Sequence, residues 1–393
     1  MDKMRMEVSE VIDVAEPEAE SHAEATLTVL HVNKDFSGTG AQRVSLTILS
    51  HTSADRKLYA GDSGAETSAA FVSQLREAGV RPVVVRGLTN RRVLLLPLAI
   101  VRLAMLIRRE RVDLVHSHSL LAGVAARLAA LLTRTPCVHT FHGAPSRRYK
   151  RLAFIVCCAL ERALARITRT VIFNTAYQMH LLRLDGPRSR VIHNYLPAGP
   201  SLSRTSVERD PGRGRVLFLG RFEFQKNPEF FLRLAGELRQ DALEFRMVGG
   251  GKLESELRAL DRELGAGVEI LPFSEDPSRH YDWADCMVLC SRYESFPLVI
   301  GEALSRGCRV VCSAIDGLGE IWGGAVRFYP EGSLASAVSS VREAVRDCRE
   351  RSPVHPDLMR RFGVANFARA HQALYDEILP PASSAEQVRV RGL

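Results

Sequence analysis

What most constrains this chain is a rhythm that occurs twice along it. Short, near-continuous apolar runs alternate with longer stretches of helical periodicity. "TLTVLHV", "RPVVV", "DLVHSH", "CVHTFHG", "TVIFNT" and "SRVIHN" read as strands, and segments such as "AQRVSLTILSH", "SAAFVSQLREAG" and "HSLLAGVAARLAALL" read as helices between them. Apolar runs without polar alternation belong to strands buried on both faces, as in a parallel sheet covered by helices. The series is therefore βαβ, and its natural closure is a doubly wound α/β domain. The rhythm stops at 196–215, "LPAGPSLSRTSVERDPGRGR", where prolines, glycines and charges mark a linker. It resumes with "RVLFLG", "EFRMVGGG", "GVEILPF", "CMVLCS" and "RVVCSA", and ends on the amphipathic "RRFGVANFARAHQALYDEIL". The expected organisation is an acidic leader of disordered composition (1–25), an N-terminal Rossmann-like domain (26–195), the linker (196–215), a C-terminal Rossmann-like domain (216–365), a helix (366–380) and a tail (381–393). Two such domains facing a central cleft would present their strand C-terminal ends to a ligand.

Charge narrows the ligand class. The 393-residue chain carries a formal charge of +8, which favours phosphate-bearing partners: a nucleotide, an anionic membrane or nucleic acid. No basic–aromatic interleaving or known module supports nucleic acid. The eight cysteines form no disulfide framework. Cys137, Cys290 and Cys312 fall in apolar runs, where a thiol acts as a small hydrophobe, and the Cys286/Cys290 and Cys308/Cys312 spacings fit a zinc knuckle poorly. A reducing cytoplasm is the expected compartment. The longest apolar run, 93–107, is broken by Pro97 and Arg102 and is too short to span a bilayer. The basic apolar segment 146–169 has two open readings, a helix lying on an anionic membrane and a core-facing helix with a solvated basic edge.

Four stretches carry chemistry. In "RVLFLGRFEFQKNPEFFLRLA", Arg221 ends a strand and Lys226 precedes a helix that Asn227 would cap and Pro228 would begin. Two cations beside the positive end of a helix dipole suit a diphosphate, although each alone reads equally well as a surface charge. "RMVGGGKLESELRAL" places Gly249–Gly251 at a strand exit, for close backbone approach to a ligand or simply for a tight turn. "HVNKDFSGTGAQRV" places Gly38 and Gly40 similarly; residue 43 is Arg, so there is no G-x-G-x-x-G fingerprint, and no Walker loop occurs. In "SRYESFPLVIGEALSRG", Pro297 is expected at the first helical position, leaving first-turn amides free. Glu302 leans back toward that opening and Glu294 approaches from the loop. His142 follows a strand, but His116, His118, His139 and His193 are equally candidates for structural roles. The H-x-H at 116–118 lacks a partnering acid, and no Asp-x-Asp triplet calls for a divalent ion.

Together these residues resemble the retaining GT-B glycosyltransferases of family 4, which use nucleotide-sugar donors. The resemblance runs from about 27 to 378 and rests on "GTGAQRV", "DLVHSHS", "HTFHG", "VIHN", "GRFEFQKNPEFFLRLA", "VGGGKLESEL", "ADCMVLCSRYESFPLVIGEALSRG" and "GLGEI". Glu294 and Glu302 match the family's E-x7-E spacing. The resemblance implies that Glu302 binds ribose hydroxyls, while Glu294 and the main chain of Phe296, Leu298 and Val299 hold sugar and phosphates. It also implies that Arg221 and Lys226 neutralise the diphosphate without a metal, that Gly40 and Gly250 line the phosphates, and that His142 contacts the donor sugar. Departures are Ser295 in the usual E-G-F, Arg309 in place of a proline, and "VIHNYLPAG" at the linker entry; none removes a proposed catalytic side chain. The expected activity is retaining transfer of a hexosyl unit from a UDP-sugar, N-acetylglucosaminyl by family frequency, with no tightly bound cofactor. The acceptor would be a lipid-linked or cell-surface saccharide, reached in the cytoplasm or at the inner face of the plasma membrane. The alternatives are a natural-product enzyme acting on a soluble aminocyclitol or sugar, and a silent nucleotide-sugar binding module.

Overall fold

The computed structural model describes residues 27–64, 67–143, 150–196, 213–274, 276–315, 317–346 and 356–379. The chain divides into two compact units. One contains the described residues through His142, Ile155–His193 and those from Phe367 onward; the other contains Gly143–Phe154 and Asn194–Asn366.

The first unit is built on a seven-stranded sheet in the order β3-β2-β1-β4-β5-β6-β7. Its strands are β1 (Thr28–Asp35), β2 (Arg56–Asp62), β3 (Val80–Val84), β4 (Leu114–His118), β5 (Cys137–Phe141), β6 (Thr170–Phe173) and β7 (Ser189–Val191). Every pairing is parallel. β4, β5 and β6 are buried along their whole length, and β4 and β5 carry His116, Ser117, His118, His139 and Thr140 into the interior among their apolar residues. Leu30, Val32, Leu58 and Val115 pack against helices Leu96–Arg109 and Leu120–Thr133. The second of these presents Ala122, Ala125, Ala126, Ala129 and Ala130, small enough for close helix–sheet approach. The fully buried Arg127 on that helix is matched by Glu161 at 2.7 and 2.9 Å, so its charge is paired within the core.

The second unit has a six-stranded parallel sheet in the order β10-β9-β8-β11-β12-β13. Its strands are β8 (Gly214–Leu219), β9 (Leu243–Val248), β10 (Glu269–Leu271), β11 (Cys286–Leu289), β12 (Arg309–Ala314) and β13 (Arg327–Pro330). Alternate residues enter two separate cores. Val216, Phe218, Val288 and Val311 join one, while Leu217, Met287, Leu289, Val310 and Cys312 join the other. This two-faced burial is why the sequence shows runs rather than alternation.

Three features differ from the sequence expectation. β2 and β13 are strands that charged or aromatic residues disguise, as in "RKLYAGD" and "RFYP". The continuous terminal helix is instead two, Pro356–Phe362 and Val364–Ile378, separated by Gly363, which bridges Leu196. The first packs Phe362 against Phe296 and Trp322; the second buries Phe367, His371, Leu374 and Tyr375. The seven described cysteines are all buried and none forms a disulfide with another, and Cys348 lies outside the described residues. So do the leader, the tail, residues 197–212 of the linker and 146–149 of the basic segment.

Candidate active site

In each sheet the strand order reverses beside its first strand, between β1 and β4 and between β8 and β11. Connections leave such a point in opposite directions, and the crevice between the diverging loops is where open α/β sheets receive ligands. In the second unit the loops are 220–227, after β8, and 290–297, after β11.

These loops are joined by charge and hydrogen bonds. Lys226 Nζ lies 2.5 Å from Glu294 Oε1, with the two side chains 16% and 9% exposed. Ser291 Oγ donates to the same carboxylate oxygen at 2.8 Å. The Arg292 amide donates to the Gln225 carbonyl at 2.8 Å, and Gln225 Nε2 returns a bond to the Tyr293 carbonyl at 3.1 Å. The Arg292 guanidinium lies over the Phe224 ring at 4.2 Å. Glu294 therefore does not float in its loop, because a cation, a hydroxyl and a stitched loop pair hold it. Arg221 is half exposed and pairs with Glu223 at 3.0 Å. The Tyr293 phenol registers both sites: burial raises its pKa, Glu294 raises it further and Arg221 lowers it.

Asn227 occupies the cap position of helix Pro228–Glu237, but in a left-handed conformation (φ 53°) and without a side-chain capping bond. Pro228 begins that helix as expected. Pro297, by contrast, is itself the cap of helix Leu298–Ser305 rather than its first residue (φ −71°, ψ 107°). Its ring accepts that φ, and the extended ψ is what a cap needs. The Ile300 amide is taken by the Pro297 carbonyl at 3.1 Å, so the first-turn amides available to a ligand are those of Leu298 and Val299. The Phe296 side chain is buried against Trp322, which leaves only its main chain for such a role. Glu302 accepts a 2.6 Å hydrogen bond from the buried Tyr281 phenol, which orients its carboxylate.

The glycine run divides by function. A Cβ on Gly249 would lie 2.0 Å from the Gly220 carbonyl oxygen, and one on Gly251 (φ 154°) would lie 2.5 Å from that of Phe222. Those two glycines let loops pack on each other, which is not the ligand approach expected of the whole run. Gly250 has no atom within 4 Å of its would-be Cβ, so it keeps the open approach.

In the first unit Gly40 opens helix Gly40–His51 and also has free space where a Cβ would stand. Asp35 organises the turn before it, accepting from the Ser37 amide and hydroxyl and from Gln42 Nε2 at 3.1, 2.7 and 2.8 Å. His142 follows β5, and its Nε2 lies 3.0 Å from His118 Nδ1. Burial, followed by the nearby His371, lowers the His142 pKa to about 4. His31, His116 and His118 bring ring nitrogens within 4.8 Å of one another. All six of those nitrogens are engaged with Ser45, Tyr375, Thr140, His142 or each other. His139 and His193 bond to Ser117 and to the Asn174 carbonyl.

The structure thus gathers Lys226 and Glu294 in one crevice, with Arg221 in electrostatic reach of the same phenol. The sequence reading missed Ser291, Tyr281 and Tyr375. Ser291 was within sight, three residues before Glu294 at a strand end; Tyr281 and Tyr375 come from separate helices that no local pattern connects to the site.

Two family profiles match the chain, "Glycosyltransferase Family 4" over residues 41–197 and "Glycosyl transferases group 1" over 213–347. An Escherichia coli protein named UDP-Gal:alpha-D-GlcNAc-diphosphoundecaprenol alpha-1,3-galactosyltransferase is 29% identical over 303 residues, 71% of this chain and 77% of that protein. The D-inositol 3-phosphate glycosyltransferase of Mycobacterium sp. (strain JLS) is 31% identical over 232 residues, and the match spans only about half of each chain, 52%. Among solved structures, Anabaena HepE in complex with UDP and glucose superposes with a TM-score of 0.76 at 18% identity, over 89% of this chain and all of that one. Sucrose-phosphate synthase from Thermosynechococcus elongatus gives 0.76 at 17%, over 90% and 99%. With two doubly wound parallel sheets, both profiles and the E-x7-E pair in place, the chain belongs to the group 1, family 4 glycosyltransferases of GT-B fold.

Proposed function

We propose that the protein transfers a hexosyl unit from a UDP-sugar to a hydroxyl acceptor with retention of anomeric configuration. The observation that carries the reading is the Lys226–Glu294 pair across the β8/β11 crevice, beside the N terminus of helix Leu298–Ser305. In this proposal Lys226 and Arg221, with the Leu298 and Val299 amides, stabilise the charge that grows on the departing pyrophosphate, without a divalent ion. Glu302, oriented by Tyr281, takes the ribose hydroxyls, and Glu294 holds the sugar. Gly250 leaves room for the phosphates. Family resemblance adds Gly40 and His142 of the first unit as contacts to phosphates and donor sugar. The sugar passes through an oxocarbenium-like state, and the acceptor hydroxyl attacks on the face the phosphate leaves.

A panel of nucleotide sugars, scored for hydrolysis and transfer with and without EDTA, tests this reading. UDP-hexoses should react, chelator should leave the rate unchanged, and Lys226→Ala and Glu294→Ala should each lower turnover at least about tenfold. Wild-type rates in both variants, or loss of activity with EDTA, would refute the assignment.

For the acceptor we favour a lipid-linked saccharide, in keeping with the undecaprenol-bearing substrate in the name of the Escherichia coli relative. No helix among the described residues is long and apolar enough to cross a membrane. Helix Arg151–Ala165, within the segment first suspected of membrane contact, exposes Leu152, Ile155 and Val156. A second face, on and before helix Leu96–Arg109, exposes Leu94, Leu98, Val101 and Met105 next to Arg102, Arg108 and Arg109. Apolar side chains flanked by arginines suit an anionic bilayer surface. The mycobacterial relative's name favours a second reading, a soluble cyclitol phosphate. Co-sedimentation with phosphatidylglycerol vesicles supports the first; absence from the pellet supports the second.

A further inference from the structure

The two oxygens of the Glu294 carboxylate are used unevenly. Oε1 receives both Lys226 Nζ at 2.5 Å and the Ser291 hydroxyl at 2.8 Å. Oε2 receives no hydrogen bond among the described residues and is not one of their enclosed, unpartnered polar atoms, so it reaches solvent at the crevice. Behind Ser291 stands a second serine. Ser313 on β12 donates its hydroxyl to the Ser291 carbonyl at 2.7 Å. Ser291 and Ser313 are 0% and 1% exposed, which keeps water from standing in for either hydroxyl.

Each link of this relay has one direction. An ionised carboxylate and a carbonyl only accept, and a serine hydroxyl has one hydrogen to give. Ser313 therefore gives to Ser291 and Ser291 to Glu294, while the Tyr329 phenol beside Ser313 is left to donate to it. The last torsion of a glutamate is broad and roughly two-fold, so a carboxylate held at one point swings easily. The Lys226 ammonium, on a flexible stem with three rotating donors, follows such a swing rather than resisting it. Ser291 is a short donor whose main chain is tied to the sheet through Ser313, and the Arg292 amide next to it is tied to the Gln225 carbonyl. It supplies the second, fixed point that stops the rotation.

We propose that Ser291 and Ser313 are positioning residues that lock Glu294 with Oε1 turned inward and Oε2 turned to the donor hexose as the acceptor of a sugar hydroxyl. The inference deepens the sugar-holding role given to Glu294 above and rests on it, but the orientation of the carboxylate is a property of the free protein. Its consequence concerns specificity. The preference for a hexose bearing that hydroxyl over its deoxy analogue depends on two buried serines, one of them two hydrogen bonds behind the carboxylate.

The test compares wild type, Ser291→Ala, Ser313→Ala and Ser313→Thr, using turnover of the reactive UDP-hexose and its monodeoxy analogues, and calorimetry with UDP. Ser291→Ala should lower kcat/KM for the full donor about tenfold and Ser313→Ala about threefold, while Ser313→Thr, which keeps the hydroxyl, should stay within about twofold of wild type. With the analogue that lacks the hydroxyl facing Oε2, wild type and Ser291→Ala should react alike. UDP, which lacks the hexose, should bind all four proteins equally. Wild-type rates in Ser291→Ala overturn the proposal. So does a loss that is the same with every deoxy analogue, or one that extends to UDP binding, since either marks a merely structural role. If Ser291→Ala fails to fold, Ser313→Ala carries the same comparison. A wild type that reacts with no nucleotide sugar refutes the transfer reading instead, and a crystal structure of the free protein then judges the relay without any donor. Ser291 and Lys226 sharing Oε1 with Oε2 open supports it; Oε2 bonded by a protein group, or a Ser313 hydroxyl turned away from Ser291, overturns it.

Discussion

Replacing Lys226 with methionine keeps most of the side chain's length and removes its charge, leaving Glu294 with only the Ser291 hydroxyl among the partners described above. At 2.5 Å the gross attraction in an effective dielectric of about 20 is roughly 6–7 kcal/mol. Most of that is offset by desolvating two groups that are only 16% and 9% exposed. Exposed pairs measure about 0.2–1 kcal/mol, while breaking a fully buried pair costs about 3–5 kcal/mol, so a coupling near 2 kcal/mol is expected for this geometry. A double-mutant cycle of Lys226→Met, Glu294→Gln and the combination reads it directly. Each single change should lower the melting temperature of the second unit by about 4–8 °C, and the double should regain much of the loss. Turnover should not follow stability. It should stay at least about tenfold down in the double variant, because the pyrophosphate needs the cation and the fold needs only a matched pair. Additive stability effects within about 0.5 kcal/mol, or restored turnover in the double variant, would refute the reasoning.

Three further outcomes follow from the same geometry. Gly249→Ala should destabilise the second unit by several kcal/mol because its methyl would stand 2.0 Å from the Gly220 oxygen, whereas Gly250→Ala should melt like wild type and raise the donor KM; equal melting of both would contradict the loop packing. Tyr281→Phe removes the hydrogen bond to Glu302 and should weaken UDP binding by about 1.5–3 kcal/mol, read by calorimetry, with unchanged affinity as the refuting result. The first unit should lose stability as pH falls from about 6.5 toward 4. Burial holds His31, His116, His118 and His139 well below 6.5, and His142 and His371 at about 4, so the unfolded chain takes up protons that the native unit refuses. His142 and His371 alone contribute about 3 kcal/mol per pH unit in that window, and a melting temperature that stays flat from pH 7 to 5 would refute it.

Much of the fold was legible because strands buried on both faces are written as short runs rich in apolar residues, clearest in "VLFL" of β8, "CMVL" of β11 and "TVIF" of β6. β2 and β13 escaped notice because charged ends and aromatics interrupt theirs. Lys226, Glu294 and Glu302 could be picked out since each stands within a turn of a helix start, where local chemistry shows its purpose. What those residues touch was not legible. The partners of Glu302 and His31 arrive from 21 and 344 positions away, and only the topology brings them together. The glycine run shows the opposite failure, a conspicuous motif whose outer members serve packing and whose middle one is left open.

Helix Val364–Ile378 has a consequence for biosynthesis. The unit built from the first half of the chain draws His371 and Tyr375 from a helix far downstream, so it cannot complete its buried polar array before that helix has been synthesised. Until residue 375 has emerged from the ribosome, His31 and His116 sit in an interior without their phenol, and the longer of the two contacts spans 344 positions. The usual order, in which N-terminal domains finish folding during translation, is denied to this protein. Nascent chains stalled short of that helix should remain open to protease in the very region that was synthesised first.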